Sequence, residues 1–154
     1  MESVERKIKM MLKVVKLREN SKIPFRATVG SAGMDLSACM DAPVTIAPGE
    51  LKKIPTGIAI GLPGPNTVGL IFARSGLAVK NGVTLSNAVG VIDSDYTGEL
   101  IVGLCNVGSV PYTIQPGERI AQLVIIPVLT PRVAVVDHLQ ATSRGDGGFG
   151  STGK

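Results

Sequence analysis

Aromatic residues are scarce in this chain, whose 154 residues include no tryptophan, two tyrosines and three phenylalanines. Because 44% of the residues are nevertheless hydrophobic, the core must be built from valine, isoleucine, leucine and alanine. Valine and isoleucine have restricted χ1 angles and fit a pleated sheet, while 19 glycines and 10 prolines supply turns. The composition therefore predicts one all-β domain.

Cysteine and histidine are also rare, with two cysteines and one histidine in the whole sequence. This set is too small for a cysteine–histidine metal cluster. Cys39 and Cys105 stand in apolar contexts, which indicates buried free thiols in a reducing compartment. We interpret His138 as a surface residue.

Strong charge and long apolar runs are absent too. A net charge of +4 is too small to indicate nucleic acid as a partner, although it suits a small polyanion. The first residues lack the apolar segment and cleavage site of a signal peptide. No run approaches the roughly 18 apolar residues of a membrane span. We therefore expect a cytoplasmic protein that binds neither nucleic acid nor membrane.

Short apolar segments recur between glycine- and proline-rich turns, as in a β-sandwich or jelly roll. They predict strands at 11–18, 33–38, 43–47, 51–60, 67–72, 82–86, 88–93, 99–105, 110–114, 119–128 and 132–138. One short helix is predicted over 75–80, capped by Ser75. The expected fold is a jelly-roll-like β-sandwich or barrel with this one helix.

The strand pattern ends near residue 141, where glycine becomes frequent. This change predicts a β domain over 10–141 and a flexible glycine-rich arm over 142–154. Residues 1–9 are interpreted as a dispensable extension. The arm formally contains GxxxxGK at 148–154, but a phosphate loop of the Walker type must open a helix, and here the chain stops.

Two acidic residues, Asp93 and Asp95, follow an apolar run in the segment NAVGVIDSDYTGEL. A carboxylate at the end of such a run can be partly desolvated, which suits a general base. In an extended segment both would point to one face. Spacing alone nevertheless favours a simpler interpretation, a hairpin turn with solvated charges.

Other polar residues in apolar surroundings suggest an anion site. Arg74 precedes Ser75 and Gly76 at the start of the predicted helix, where backbone N–H groups and a guanidinium meet; a capped helix with a surface arginine explains the pattern equally well. Asp35, inside an apolar alternation, could assist a hydrated Mg²⁺. Gln122, inside an apolar strand, needs hydrogen-bond partners that a protein core can also supply.

Five segments carry these features in order along the chain. They are SAGMDLSA (31–38), ARSGLA (73–78), NAVGVIDSDYTGEL (87–100), PGERIAQLVI (116–125) and RGDGGFGSTG (144–153). In this order and spacing they resemble the five motifs of the trimeric dUTP pyrophosphatases, or dUTPases, across almost the whole sequence. One departure is Ala73, where that family usually has proline.

The resemblance implies a jelly-roll homotrimer, with active sites between subunits, that hydrolyses dUTP to dUMP and pyrophosphate. Such an enzyme limits uracil incorporation into DNA. Asp93 would deprotonate the water that attacks the α-phosphorus, and Tyr96 would pack beneath the sugar and exclude a 2′-hydroxyl. Mg²⁺ would be chelated by the triphosphate, with Asp35 reaching its bound waters. The resemblance also implies that phosphates are bound by Arg74, Ser75, Gly76 and Gln122. The uracil would be read by an 87–98 hairpin, through Asn87, Val91 and Ile92. An arm from a neighbouring subunit would close on the substrate with Arg144, Phe149, Gly150, Ser151 and Thr152.

Two other functions stay open at this point. A dCTP deaminase shares the implied fold, although that family carries Arg-Ser-Ser where this chain has Arg-Ser-Gly. A non-enzymatic β-trimer that binds a nucleotide or a protein as a regulator would belong to a different class. Ammonia release from dCTP would indicate the first, and dUTP binding without turnover the second.

Overall fold

The computed structural model describes residues 11–148, which form ten strands and one short helix. The strands are β1 (Lys13–Lys16), β2 (Met34–Ser37), β3 (Val44–Ile46), β4 (Leu51–Gly61), β5 (Thr67–Ala73), β6 (Val83–Leu85), β7 (Gly90–Ile92), β8 (Glu99–Asn106), β9 (Tyr112–Ile114) and β10 (Arg119–Pro127), with α1 (Ser75–Asn81) after β5. The predicted all-β fold with one short helix is therefore confirmed. The predicted extension and the end of the arm, residues 149–154, lie outside the described residues.

The strands form three antiparallel sheets. One has the order β1-β4-β8-β6, a second has the order β2-β10-β5-β7, and β3 pairs with β9 in a third. Side chains alternate along β8, whose even-numbered residues from Leu100 to Asn106 are buried while Ile101 is exposed. This alternation places one face of the first sheet on the core and leaves the other open.

A single apolar cluster joins all three sheets. It contains side chains of β4 and β8 from the first sheet, of β2, β5 and β10 from the second, and Ile46 and Ile114 from the third. Asn106 is fully buried within this region, and its amide donates to the carbonyls of Ile46 and Val110 at 3.0 and 2.8 Å. The core thus follows the aliphatic composition, and its buried polar side chain is hydrogen-bonded.

The two Pro-Gly-Glu segments form matching turns. Gly49 and Gly117 have φ angles of 77° and 76°, a conformation that glycine adopts without a steric penalty. In each turn the following glutamate accepts a backbone N–H three residues earlier, at 2.9 Å for Glu50 and 2.8 Å for Glu118. The turns fix where the two long strands that follow them, β4 and β10, begin.

Three local predictions were wrong. The segment 132–138 forms no strand and is exposed throughout, because no strand of the described chain pairs with it. Arg74, not Ser75, holds the N-cap position of α1, and no side chain caps it there. The 87–98 segment is not a hairpin, since β7 pairs with β5 of the second sheet while β8 belongs to the first.

Both cysteines are free thiols, as predicted, and Cys39 is buried. The burial predicted for Cys105 was wrong: it lies on β8 among the odd-numbered residues, which face away from the core, and is partly exposed. His138 is on the surface, also as predicted. Among residues 11–148, no helix is long and apolar enough to cross a membrane.

The phenol of Tyr112 makes stability depend on pH. Burial raises the pKa of Tyr112 to about 12, and its hydrogen bond to the Glu118 carboxylate adds to the effect. The unfolded chain releases this proton near the ordinary value of 10.0. The stabilisation is thus complete below that pH and is lost as the pH rises toward the folded pKa. We expect Tyr112→Phe to lose less free energy of unfolding than the wild type between about pH 9 and about pH 11, measured by urea denaturation. Equal losses would contradict this assignment.

Candidate active site

A cluster of charged side chains lies where β2, β5 and β10 meet. Asp35 on β2 accepts hydrogen bonds on both carboxylate oxygens, from Arg74 Nε at 2.9 Å and from Arg119 Nη1 at 2.9 Å. The Asp35 side chain is only 12% exposed, whereas those of Arg74 and Arg119 are 27% and 44% exposed. Two cations face one anion, so the cluster keeps a net positive charge that can attract a phosphate.

Gln122 borders this group of Asp35, Arg74 and Arg119, which we call the anion cluster because its net positive charge can bind an anion. It pairs with Asp35 across the β2–β10 ladder, and its amide Nε2 donates to the carbonyl of Ala73 at 3.0 Å. Gly33 lies against it, because a Cβ added at Gly33 would come within 2.5 Å of the amide oxygen. The core therefore satisfies the amide donor, as one of the two sequence interpretations expected, and Gln122 also belongs to the edge of the anion cluster.

The start of α1 completes the cluster. Arg74 directly follows β5 and is still in extended conformation, with φ −86° and ψ 128°. Its guanidinium also donates to the Arg119 carbonyl at 3.3 Å. Ser75 and Gly76 follow directly and are exposed. The structure thus places Asp35, Arg74 and Gln122 together, with Ser75 and Gly76 next in sequence to Arg74; the phosphate contacts implied for these residues stay predictions.

A pocket of about 180 Å³ lies between β7 and the start of β8. Its lining residues are Val91, Ile92, Asp93, Tyr96, Glu99, Leu100 and Ile101. Small-molecule pockets usually measure roughly 300–1,000 Å³. This pocket is therefore smaller than a typical ligand site and has room for only part of a nucleotide.

The carboxylate of Asp93 stands at the rim of this pocket. Asp93 and Asp95 are both exposed, so the partial desolvation expected for Asp93 is not found in the single chain. Both lie in the turn between β7 and β8, where the Tyr96 N–H donates to the Asp93 carbonyl at 3.1 Å. Both carboxylates are solvated in a turn, as the simpler interpretation expected, but this turn connects strands of two different sheets and is not a hairpin. Asp93 also lies beside the pocket.

Tyr96 forms one wall of the pocket. It is 44% exposed, and its hydroxyl donates to the Glu99 carbonyl at 2.9 Å. Gly98 lies directly under the ring, because a Cβ there would come within 2.6 Å of the hydroxyl. Asn87, by contrast, is exposed before β7 and does not line the pocket.

The anion cluster and the pocket are far apart within one chain. Gly69 on β5 pairs with Ile92, which directly precedes Asp93, whereas Arg74 lies five residues further along. At roughly 3.3 Å per residue this separation is about 17 Å along the strand. One copy of the chain therefore does not bring Asp93 to the anion cluster.

Arg144 is the one implied arm residue that the structure describes. It is exposed, and its Nε donates to the carbonyl of Gly147 at 3.0 Å within a local turn. Phe149, Gly150, Ser151 and Thr152 lie outside the described residues. Their roles stay predictions.

Sequence reasoning missed two charged residues at these sites, Arg119 and Glu99. Arg119 stands in the same short segment as Gln122, and a lone arginine at the head of an apolar strand was the available signal. Glu99 closes the segment that contains Asp93 and lines the pocket. Only the sheet registers show which other residues these two meet.

Comparisons with known proteins identify the family of the chain. The dUTPase family model matches residues 19–153. The deoxyuridine 5′-triphosphate nucleotidohydrolase of Burkholderia lata is 50% identical over 147 residues, covering 96% of this chain and 99% of that protein. The protein of the same name from Paraburkholderia phymatum is 48% identical with the same coverage.

Solved structures agree in fold. A variant dUTPase of Staphylococcus bacteriophage 80alpha with dUpNHpp has a TM-score of 0.86 at 29% identity, covering 94% of this chain and 99% of that chain. A variant dUTPase from phage phi11 of S. aureus, described with a structural Mg(II) ion, has a TM-score of 0.77 at 27% identity, covering 85% and 99%.

The two-arginine arrangement makes Asp35 testable independently of any reaction. Asp35→Asn removes the negative charge that orients both guanidinium groups. The variant also leaves one more net positive charge beside the anion, so weaker binding would show that the orientation of the guanidinium groups outweighs charge; one charge-assisted hydrogen bond corresponds to about tenfold. We expect the variant to bind inorganic triphosphate about tenfold more weakly in EDTA, measured by isothermal titration calorimetry. The exposed Asp41→Asn serves as the control. Unchanged affinity in Asp35→Asn would show that the arginines do not need this carboxylate.

Proposed function

The chain belongs to the dUTPase family and is a dUTP diphosphatase, and from this premise we propose how its residues bind and cleave dUTP. The nucleoside enters the pocket between β7 and β8, and the triphosphate lies on an anion cluster supplied by another copy of the chain. The observation that supports this division most directly is the separation of the two groups along β5.

Asp93 acts as the general base. Its exposed carboxylate at the pocket rim can accept the proton of a water molecule that attacks the α-phosphorus of a bound nucleotide. The P–O bond between the α-phosphorus and the bridging oxygen breaks, and pyrophosphate leaves from dUMP. Packing of the neighbouring copy would remove solvent from Asp93, which the single chain leaves exposed.

The pocket selects deoxyuridine. Backbone groups around Val91 and Ile92 read the uracil edge, and Asn87, which lies outside the pocket lining, would join them by turning its side chain toward the base. A base with a different hydrogen-bonding pattern would leave these groups unpaired. The ring of Tyr96 packs beneath the sugar and leaves no room for a 2′-hydroxyl. The contact of Tyr96 with Glu99 and Gly98 supports this role, because it fixes the ring at one wall.

The anion cluster holds the triphosphate. Arg74 and Gln122 contact phosphate oxygens, and the exposed Ser75 and Gly76 add a hydroxyl and backbone N–H groups. Arg119 adds a second positive charge that sequence reasoning had not assigned. The net charge of the cluster supports phosphate binding over a purely structural ion pair, because a structural pair needs only one arginine.

Magnesium accompanies the substrate in this proposal. Among the described residues no group of three acidic, histidine or cysteine side chains could form a metal cage. The two oxygens of Asp35 each accept one arginine N–H, and a carboxylate has about four acceptor positions. Asp35 therefore fits an ion that is held mainly by the triphosphate and touched through water. The bound ion would neutralise phosphate charge.

Three copies of the chain form the enzyme, with each active site built between subunits. The exposed apolar residues of the 129–139 segment, among them Leu129 at 91% and Val133 at 94% exposure, support contact with a neighbouring copy. Arg144 follows this segment. In the proposed arrangement the arm closes over the substrate, with Arg144 on the γ-phosphate, Phe149 on the uracil, and Gly150, Ser151 and Thr152 donating to phosphates.

The free thiols of Cys39 and Cys105 support a cytoplasmic location for this reaction. Reduced cysteines persist in the cytosol, whereas oxidising compartments favour disulfides.

The function is tested by pyrophosphate release with Mg²⁺ from dUTP, dTTP, dCTP and UTP in parallel. We expect release from dUTP, little from the others, and a loss of about 10²–10⁴-fold in kcat for Asp93→Asn. Asp95→Asn, in the same turn and also exposed, is the matched control and should stay near the wild type. Asp93→Asn within a few-fold of wild type would remove Asp93 from its role, and ammonia release from dCTP would favour a deaminase.

The division between subunits is tested by mixing two inactive variants. Asp93→Asn disables the pocket and Arg74→Ala disables the anion cluster, so neither homotrimer should turn over dUTP. When the two are denatured together and refolded, some interfaces pair the intact pocket of one chain with the intact cluster of the other. We expect activity to return to about a quarter of the wild-type level at equal mixing, from random assortment of the two chains. No recovery, with trimers present by light scattering, would mean that each chain supplies a whole site.

A further inference from the structure

A bulge in β4 lies directly behind the nucleoside pocket. The ladder between β4 and β8 shifts register between Pro55 and Ala59, which pair with Ile101 and Glu99 respectively. Three residues of β4 therefore oppose a single residue of β8. A bulge leaves backbone groups of the extra residues without ladder partners, and buried N–H groups need partners.

Glu99 supplies the missing partner. Its Oε1 accepts the backbone N–H of Gly57 at 2.8 Å. The same residue lines the pocket, and its backbone carbonyl accepts the hydroxyl of Tyr96 at 2.9 Å. Glu99 is thus hydrogen-bonded to the bulge through its side chain and to the pocket wall through its main chain.

The Gly57 end of this connection is rigid. Gly57 has a φ of 70°, and a Cβ placed there would come within 2.3 Å of Ser21 Oγ and 2.6 Å of Cys39 Sγ. The Ser21 hydroxyl also donates to the Gly57 carbonyl at 2.6 Å. Packing and hydrogen bonding therefore hold this N–H in one place, and the Glu99 carboxylate is attached to a fixed point.

Arg18 makes a second, weaker contact. Its Nη2 lies 3.5 Å from Glu99 Oε1, and the Arg18 and Glu99 side chains are 44% and 20% exposed. Exposed ion pairs at such distances contribute little. Arg18 is held more firmly by donating from Nη1 to the Cys39 carbonyl at 2.8 Å. The short bond to Gly57 is therefore the decisive one.

We propose that Glu99 is a positioning residue that, through its bond to the β4 bulge, fixes Tyr96 at the sugar side of the pocket and so sets discrimination against ribonucleotides. This inference rests on the role proposed for Tyr96 in excluding a 2′-hydroxyl. Glu99 does not contact the reacting atoms. It acts by holding the carbonyl on which the Tyr96 hydroxyl depends.

The test compares kcat/KM for dUTP and for UTP in a series of variants. Glu99→Ala removes the acceptor for Gly57, and the ratio of the two values should fall about tenfold, as for the loss of one charge-assisted hydrogen bond. Glu99→Gln keeps both length and an oxygen acceptor, so the ratio should stay within about twofold of wild type. Arg18→Met should likewise change it little.

Glu50→Ala is the matched control. Glu50 also accepts a backbone N–H, from Ala47 at 2.9 Å, and pairs with one lysine, Lys52. It lies next to Leu51, which pairs with Cys105, six residues from Glu99 along β8 and so about 20 Å from the pocket. A general loss of stability would affect both variants, whereas a positioning role alters the nucleotide ratio only at Glu99.

A second readout does not depend on activity. In a Tyr112→Phe background Tyr96 is the only tyrosine, and the chain has no tryptophan. Acrylamide quenching of its fluorescence should increase in Glu99→Ala but not in Glu99→Gln. If Glu99→Ala does not fold, Glu99→Asp, one methylene too short to reach Gly57, replaces it in both measurements.

The outcomes separate the two proposals. If wild type does not discriminate against UTP, the proposed role of Tyr96 fails, while quenching still reports whether Glu99 fixes the ring. If wild type discriminates and the shortened Glu99 variants keep both its ratio and its quenching, the positioning role of Glu99 is overturned.

Discussion

Strand β5 is hydrogen-bonded along both of its edges, to β10 on one side and to β7 on the other. These two registers determine how far Asp93 stands from Arg74 and Arg119. The β10 register brings Ala73 opposite Ala121, and Gln122 and Arg119 then lie beside Asp35 and Arg74. The β7 register fixes Asp93 near the opposite end of the same strand. A shift of one residue would turn each of these side chains to the other face of the sheet.

The anion cluster and the pocket differ in how their charged side chains are held. In the cluster, two arginines would repel each other and splay into solvent without Asp35, so the carboxylate holds their charge at a defined place. In the pocket, charge is left exposed on Asp93 while the walls are apolar or are fixed by backbone contacts. A phosphate and a nucleoside need these different surroundings, because one is bound by charge and the other by shape and hydrogen-bonding pattern.

The fold class and many of the candidate site residues could be predicted from the sequence, but the residues that each of them contacts could not. The aliphatic composition and the turn spacing predicted an all-β fold, and SGLAVK predicted the helix, because these depend on local properties of the chain. The supposed strand at 132–138 has the same apolar character, yet a strand exists only where another pairs with it. Arg119 and Glu99 were missed for a related reason. Their partners, Asp35 and Gly57, lie 84 and 42 residues away in sequence, and only the sheet registers bring such distant residues into contact.

The split of the site along β5 and the exposed apolar segment after β10 have one explanation in common. An isolated copy would hold half of each binding surface and expose a run of valine and leucine side chains to water. In the assembly proposed above, association of copies would remove both defects at once, because the surface that buries the apolar segment would also bring a cluster to a pocket. In such an assembly nucleotide binding and association would be coupled, because the pocket of about 180 Å³ would gain its remaining walls from a neighbour. A site of this kind cannot act on a nucleotide before assembly is complete, and its substrate should in turn stabilise the assembly, because the nucleotide contacts both copies.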